Sequence, residues 1–121
     1  MGYRIDFAVV GGGTMRATVS GKSSLRYAAH IARDIAEQAA SRAAKRLLID
    51  VRALADRVGT LGALLVGACA PARDCRVALL DTAEHERYYV FSELAARSRG
   101  YDVRAFDNPA EALSWLASRE R

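Results

Sequence analysis

A chain of 121 residues, 51% hydrophobic and 26% charged, has the size and composition of one folded domain spanning residues 1–121, able to bury roughly two-thirds of the surface its unfolded form exposes. The formal net charge is +4, but the arginines are spread along the chain and lysine occurs only at Lys22 and Lys45; without a concentrated basic stripe the pattern argues against a nucleic-acid binder. No apolar stretch approaches the ~20 residues of a membrane span, and Met1-Gly-Tyr-Arg-Ile-Asp6 has neither a signal-peptide core nor the hydroxyl of a myristoylation signal, so a cytoplasmic protein is expected.

Tyr3 to Val10 alternates, with Tyr, Ile, Phe and Val on one face, and reads as a strand. Gly11-Gly12-Gly13 breaks it, and Thr14 to Ser20 alternates again, with Met15, Ala17 and Val19 opposite Arg16 and Thr18. The pair predicts a β-hairpin. Gly21-Lys-Ser-Ser24 is expected to leave the hairpin and open a helix, with Ser23 or Ser24 as N-cap. That helix runs to about Ala43 on an apolar stripe of Leu25, Ala28, Ile31, Ala32, Ile35, Ala39 and Ala43.

From Lys45 the period changes. Leu47-Leu-Ile-Asp-Val51 is a continuous apolar run holding one acid, as expected of a strand covered on both faces. Leu54 to Thr60 reads as a connection, Leu61 to Ala70 as an apolar helix ended by Pro71, and Arg76 to Asp81 as another buried strand. Glu84 to Ser98 predicts a third helix, terminated by Gly100. Tyr101 to Phe106 is the last strand; Asp107 or Asn108 caps a closing helix whose first turn takes Pro109. The order is β-β-α-β-α-β-α-β-α. It predicts an α/β domain with a mixed, mainly parallel sheet edged by an N-terminal β-hairpin.

Motifs of catalysis are missing from this order. Gly21-Lys22-Ser23 imitates the end of a phosphate-binding loop, but Arg16 stands where the first glycine of that loop belongs. Gly11-Gly12-Gly13 precedes a strand, not a helix, and is a turn, not a dinucleotide fingerprint. Cys69 and Cys75, with His30 and His85 far from them in sequence, lack ligand spacing, so reduced thiols, no metal and no cofactor are expected. No nucleophile elbow is present, and no catalytic residue is assigned.

The residues left for binding sit where strands end. Asp50-Val-Arg52 and Asp81-Thr82 fall at the carboxyl ends of neighbouring parallel strands, the edge at which open α/β sheets bind ligands. Capping and turn formation account for most of these positions. Arg52 is the least explained by capping: it can pair with Asp50 or Asp56, or bind an anion.

Leu47-Leu-Ile-Asp-Val-Arg52, Arg76-Val-Ala-Leu-Leu80 and Val103-Arg-Ala-Phe-Asp-Asn-Pro-Ala-Glu-Ala-Leu-Ser-Trp-Leu116 resemble the SpoIIAA-like proteins of the STAS superfamily, and the likeness covers nearly the whole chain in element order. The resemblance implies an α/β sandwich of the kind shared with lipid-carrying CRAL-TRIO domains. It also implies the protein switch of the anti-sigma-factor antagonists, in which a partner kinase phosphorylates a serine or threonine at a helix N-terminus after the central strand. The comparable region here is Asp56-Arg-Val-Gly-Thr-Leu-Gly62, which lacks the family's usual Asp-Ser-Ser-Gly or Asp-Ser-Thr-Gly. Thr60 is its nearest hydroxyl, either a phosphorylation site or a plain N-cap. A non-enzymatic regulatory domain is therefore expected, binding a protein partner through Arg52, Asp56 and Thr60. The alternative is a carrier or sensor of a small apolar or anionic ligand held by Arg52, Asp81 and Thr82. Self-association through an open strand edge, giving a homodimer, fits the same element order.

Overall fold

In the computed structural model, residues 2–10, 13–22, 25–55, 76–82 and 102–118 are described. They form strands β1 (Tyr3–Val10) and β2 (Thr14–Lys22), helix α1 (Leu25–Ser41), strands β3 (Arg46–Ala55), β4 (Arg76–Leu80) and β5 (Asp102–Phe106), and helix α2 (Pro109–Ala117). The expected helices at 61–70 and 84–98, and with them Cys69, Cys75 and His85, lie outside the described residues, as do the candidate caps Ser23 and Ser24.

The strands make one mixed sheet in the order β1-β2-β3-β4-β5. β1 and β2 pair antiparallel from Tyr3–Gly21 to Val10–Thr14, and β2, β3, β4 and β5 run parallel. Side chains alternate across the sheet because successive Cβ atoms of a strand point to opposite faces. Met15, Ala17 and Val19 of β2, Leu47, Ile49 and Val51 of β3, and Val77 and Leu79 of β4 form one core with Ile31, Ala32 and Ile35 of α1. Leu48, Ala78 and Leu80 face the other way and bury Ala112 and Leu116 of α2. The two described helices thus cover opposite faces, which is why Leu47-Leu48-Ile49 has no polar position to spare.

Several boundaries differ from the sequence expectation. Gly21 and Lys22 continue β2 rather than opening α1. Gly21 takes a φ of +98°, and a Cβ there would stand 2.5 Å from the Gly2 carbonyl oxygen; only glycine lets the paired ends of the hairpin come this close. Helix α1 stops at Ser41, short of Ala43, which is exposed and not part of the apolar stripe. Ala44 N–H donates to Ala39 O at 2.9 Å and Ala43 N–H to Ala40 O at 3.1 Å, with Ala43 at a φ of +49°. This is a Schellman end built on alanine where glycine is usual. Its cap is sealed by Ala39 and Ala44, both packed on the core.

β3 is longer than expected. Leu54, read as part of a connection, lies inside the strand and is buried in the α1-side core. The cause is a bulge: Thr18 pairs with Asp50 but Ser20 pairs with Ala53, so Val19 alone faces Val51 and Arg52. One extra residue reverses the alternation in the rest of the strand, turning Leu54 inward. At the other end of the chain, Asn108 rather than Asp107 caps α2, its side chain accepting from Ala110 N–H at 2.8 Å and Glu111 N–H at 3.2 Å, with Pro109 in the first turn.

Candidate functional site

Asp50 is the acid inside the buried β3 run, only 3% exposed. A carboxylate so placed needs charged partners, and the strand architecture supplies them. Residues 50 and 52 share a face, and Arg16 on β2 points to that face because Met15 and Ala17 point to the other. Arg52 grips Asp50 in a fork, Nε on Oδ1 at 3.0 Å and Nη2 on Oδ2 at 2.9 Å, while the Arg52 backbone N–H donates to Oδ1 at 3.1 Å. Arg16 Nη2 donates to Oδ2 at 2.9 Å. The bulge between Thr18 and Ser20 falls beside this cluster, at a place where such irregularities re-aim side chains.

Burial by itself raises the Asp50 pKa, but the hydrogen bonds from Arg52, then Arg16, outweigh it and hold the carboxyl below the usual carboxylate range. The Asp50 hydrogen bond in turn raises the Arg52 pKa. The Asp50–Arg52 pair is therefore ionised at neutral pH, and among the described residues the cluster has one guanidinium more than it has carboxylates. Arg16 Nε is buried with no hydrogen-bond partner among the described residues, and over a third of the Arg52 side chain stays exposed. An excess positive charge held on a rigid strand is suited to meeting an anionic group.

Of the expected site residues, Arg52 therefore pairs with Asp50. Asp50 itself is not at a strand end, since β3 continues to Ala55. Asp81 follows β4 directly and is buried; its N–H donates to Phe106 O at 3.0 Å, and its carboxylate accepts the Thr82 N–H at 2.7 Å. Asp81 thus has the turn-forming role open to it from sequence. Thr82 is half-buried beside it. Asp56 and Thr60 lie outside the described residues. The hydrogen bonds of Arg52 among the described residues all run to Asp50, so the structure does not join Arg52 to Asp81 or Thr82.

Sequence reading passed over Arg16 and Arg76. The signal for Arg16 was available: an acid in a buried strand calls for a cation on a neighbouring strand, and Arg16 is the cation on the correct face of β2. Arg76 is a structural anchor. Its Nε donates to Asp102 Oδ2 at 2.8 Å, across the β4–β5 pair, and its Nη1 to the carbonyls of Trp115 and Ser118 at 2.6 Å each. It ties the start of β4 to the carboxyl end of α2, where a cation also complements the helix dipole.

Among the described residues no group of three or more His, Cys, Asp or Glu side chains is placed to hold a metal ion, and no described helix is long and apolar enough to cross a membrane.

No protein-family model matches the chain, and no curated protein matches it. Solved structures do. An anti-sigma factor antagonist from Mycobacterium paratuberculosis superposes with a TM-score of 0.72 at 14% identity, over 96% of this chain and 95% of that one. The unphosphorylated anti-sigma factor antagonist SpoIIAA gives 0.65 at 16% identity, over 98% of this chain and 100% of that one. An uncharacterised protein from Shewanella loihica with a SpoIIAA-like fold gives 0.55 at 18% identity, over 96% and 94%. The chain has the SpoIIAA-like fold.

Proposed function

We propose that this STAS-type domain is a regulatory module that works by binding a protein partner and catalyses no reaction. The observation that carries the reading is the match, along nearly the full chain, to two structures described as anti-sigma factor antagonists. The whole chain acts as one domain in this reading. Its docking surface is centred on Arg52 and continues into the segment holding Asp56 and Thr60. What supports the position is the Arg16–Asp50–Arg52 cluster: a fixed fork with surplus positive charge, at the bulge just before that segment. The partner surface it suits is acidic. A phosphate on Thr60 would add negative charge to that surface and change its complementarity.

The test is affinity capture from cells of the source organism, with wild type, Arg52→Ala and Thr60→Asp as baits. Circular dichroism first confirms that each variant is folded. The reading expects a protein retained by wild type and lost with Arg52→Ala. Equal recovery by all three baits would reject this surface, and equal recovery by Thr60→Asp alone would remove Thr60 from it.

A further inference from the structure

We propose that a cavity at the amino ends of β2 and β3 binds a small amphiphilic anion, a carboxylate on a short alkyl body. This is the opposite end of the parallel strands from Arg52, so the site is independent of the docking surface above. The cavity measures about 370 Å³, within the roughly 300–1,000 Å³ of small-molecule sites. It lies between the tip of the β1–β2 hairpin and the turn from α1 into β3.

Its wall divides by chemistry. Val9 and Met15, cross-strand neighbours of the hairpin, give an apolar side, while Arg42, Lys45 and Arg46 supply cationic groups, and no acidic side chain among the described residues lines it. Val9 is 66% exposed although it sits on the same face of β1 as the core-facing Tyr3, Ile5 and Phe7. It is an apolar strand residue left uncovered because α1 ends short of it. The Arg42 side chain is not needed to finish α1. The carbonyls of Gln38, Ala39 and Ala40 already accept from the backbone N–H groups of Arg42, Ala44 and Ala43, so the Arg42 side chain is not recruited as a cap. An apolar wall beside a basic rim is complementary to a ligand with both a tail and a negative head, and to neither alone.

The experiment is a heteronuclear NMR titration of the full chain with sodium octanoate, with sodium acetate and octan-1-ol as head-only and tail-only controls. Saturable shifts are expected at the amides of residues 42–46 and the methyl groups of Val9 and Met15, at lower concentration for octanoate than for either control. Both Arg42→Glu and Val9→Ser change exposed positions and leave the fold intact. The first is expected to weaken octanoate by about fivefold or more, the worth of one close charge near water, and the second to bring octanoate closer to acetate. Octanoate no stronger than octan-1-ol, shifts confined to other residues, or both variants binding like wild type would each overturn the proposal. So would sedimentation with phosphatidylglycerol vesicles in the absence of an octanoate response, which would make the basic rim a membrane contact and not a ligand site.

Discussion

The guanidinium of Arg76 lies 4.7 Å from the centroid of the Trp115 ring while its Nη1 holds the Trp115 carbonyl at 2.6 Å. One side chain thus grips the same residue of α2 through its ring and its backbone, and grips β5 through Asp102. Phe106 and Arg104 of β5 also lie against that ring, at 5.6 and 5.5 Å.

This arrangement makes Arg76 the most sensitive charged position among those described. Its side chain is 9% exposed, so Arg76→Ala removes a buried donor from the Asp102 carboxylate and from the Trp115 and Ser118 carbonyls. A loss of about 3 kcal/mol is expected. Arg76→Lys recovers only part of it, because an ammonium cannot reproduce the planar fork. Urea unfolding followed by the fluorescence of Trp115, the single tryptophan, measures both variants. A change below about 1 kcal/mol for Arg76→Ala would contradict the anchoring role.

Asp50 sets an acid limit on stability. Its folded pKa lies below the ordinary value of 3.8, so near that pH the unfolded chain binds more protons than the folded one. The stabilisation is fully present above the ordinary value and is lost as the pH falls through the lowered one. Asp50→Asn is expected to cost about 2 kcal/mol at neutral pH, the modest end for a buried pair because both guanidiniums are partly exposed and screened. It is also expected to flatten the acid limb. Thermal melts from acid to neutral pH compare the two proteins; parallel curves would dismiss the ion pair as the cause.

Ala43 is a site where a substitution gains stability. Left-handed backbone costs an alanine roughly 1–2 kcal/mol, part of which glycine returns as unfolded-state entropy. Ala43→Gly is therefore expected to stabilise the fold by about 0.5–1 kcal/mol, read as a higher urea midpoint at unchanged slope.

Gly21 is the converse case. With φ at +98° and the Gly2 carbonyl oxygen 2.5 Å from a would-be Cβ, Gly21→Ala meets both backbone strain and a backbone clash. A loss of about 2 kcal/mol or more is expected. Hydrogen exchange should show it first in the Lys22 N–H, which donates to Gly2 O at 2.9 Å.

Much of the fold is legible in the sequence, because it is written in short-range periodicity. Alternation in Tyr3–Val10 and Thr14–Ser20, the three-to-four spacing of Ile31, Ala32 and Ile35, and the Asn108-Pro109 start of α2 each depend on neighbours a few residues away. The positions that depart from expectation are those where a distant strand decides. Period-2 counting places Leu54 off the α1-side core, and only the bulge opposite Val19 returns it. Ala43 continues a helical spacing but ends in a left-handed turn, because packing Ala44 against the core outweighs one more helical residue.

The candidate site divides the same way. By itself the sequence determined that Asp50 is the one acid in an apolar strand run, that α1 carries an apolar stripe, and that no local catalytic motif exists. Which cation answers Asp50 was open, since Arg52 had Asp56 as a rival partner. The tertiary structure decided it by bringing Arg16 across from β2 and placing Arg52 on the same face of β3. It likewise decided that a cavity opens at the amino ends of the strands, where Val9 of one hairpin strand meets the basic turn after α1. Both outcomes depend on which strands become neighbours. That pairing is a cooperative property of the whole sheet, so no local stretch of sequence carries it.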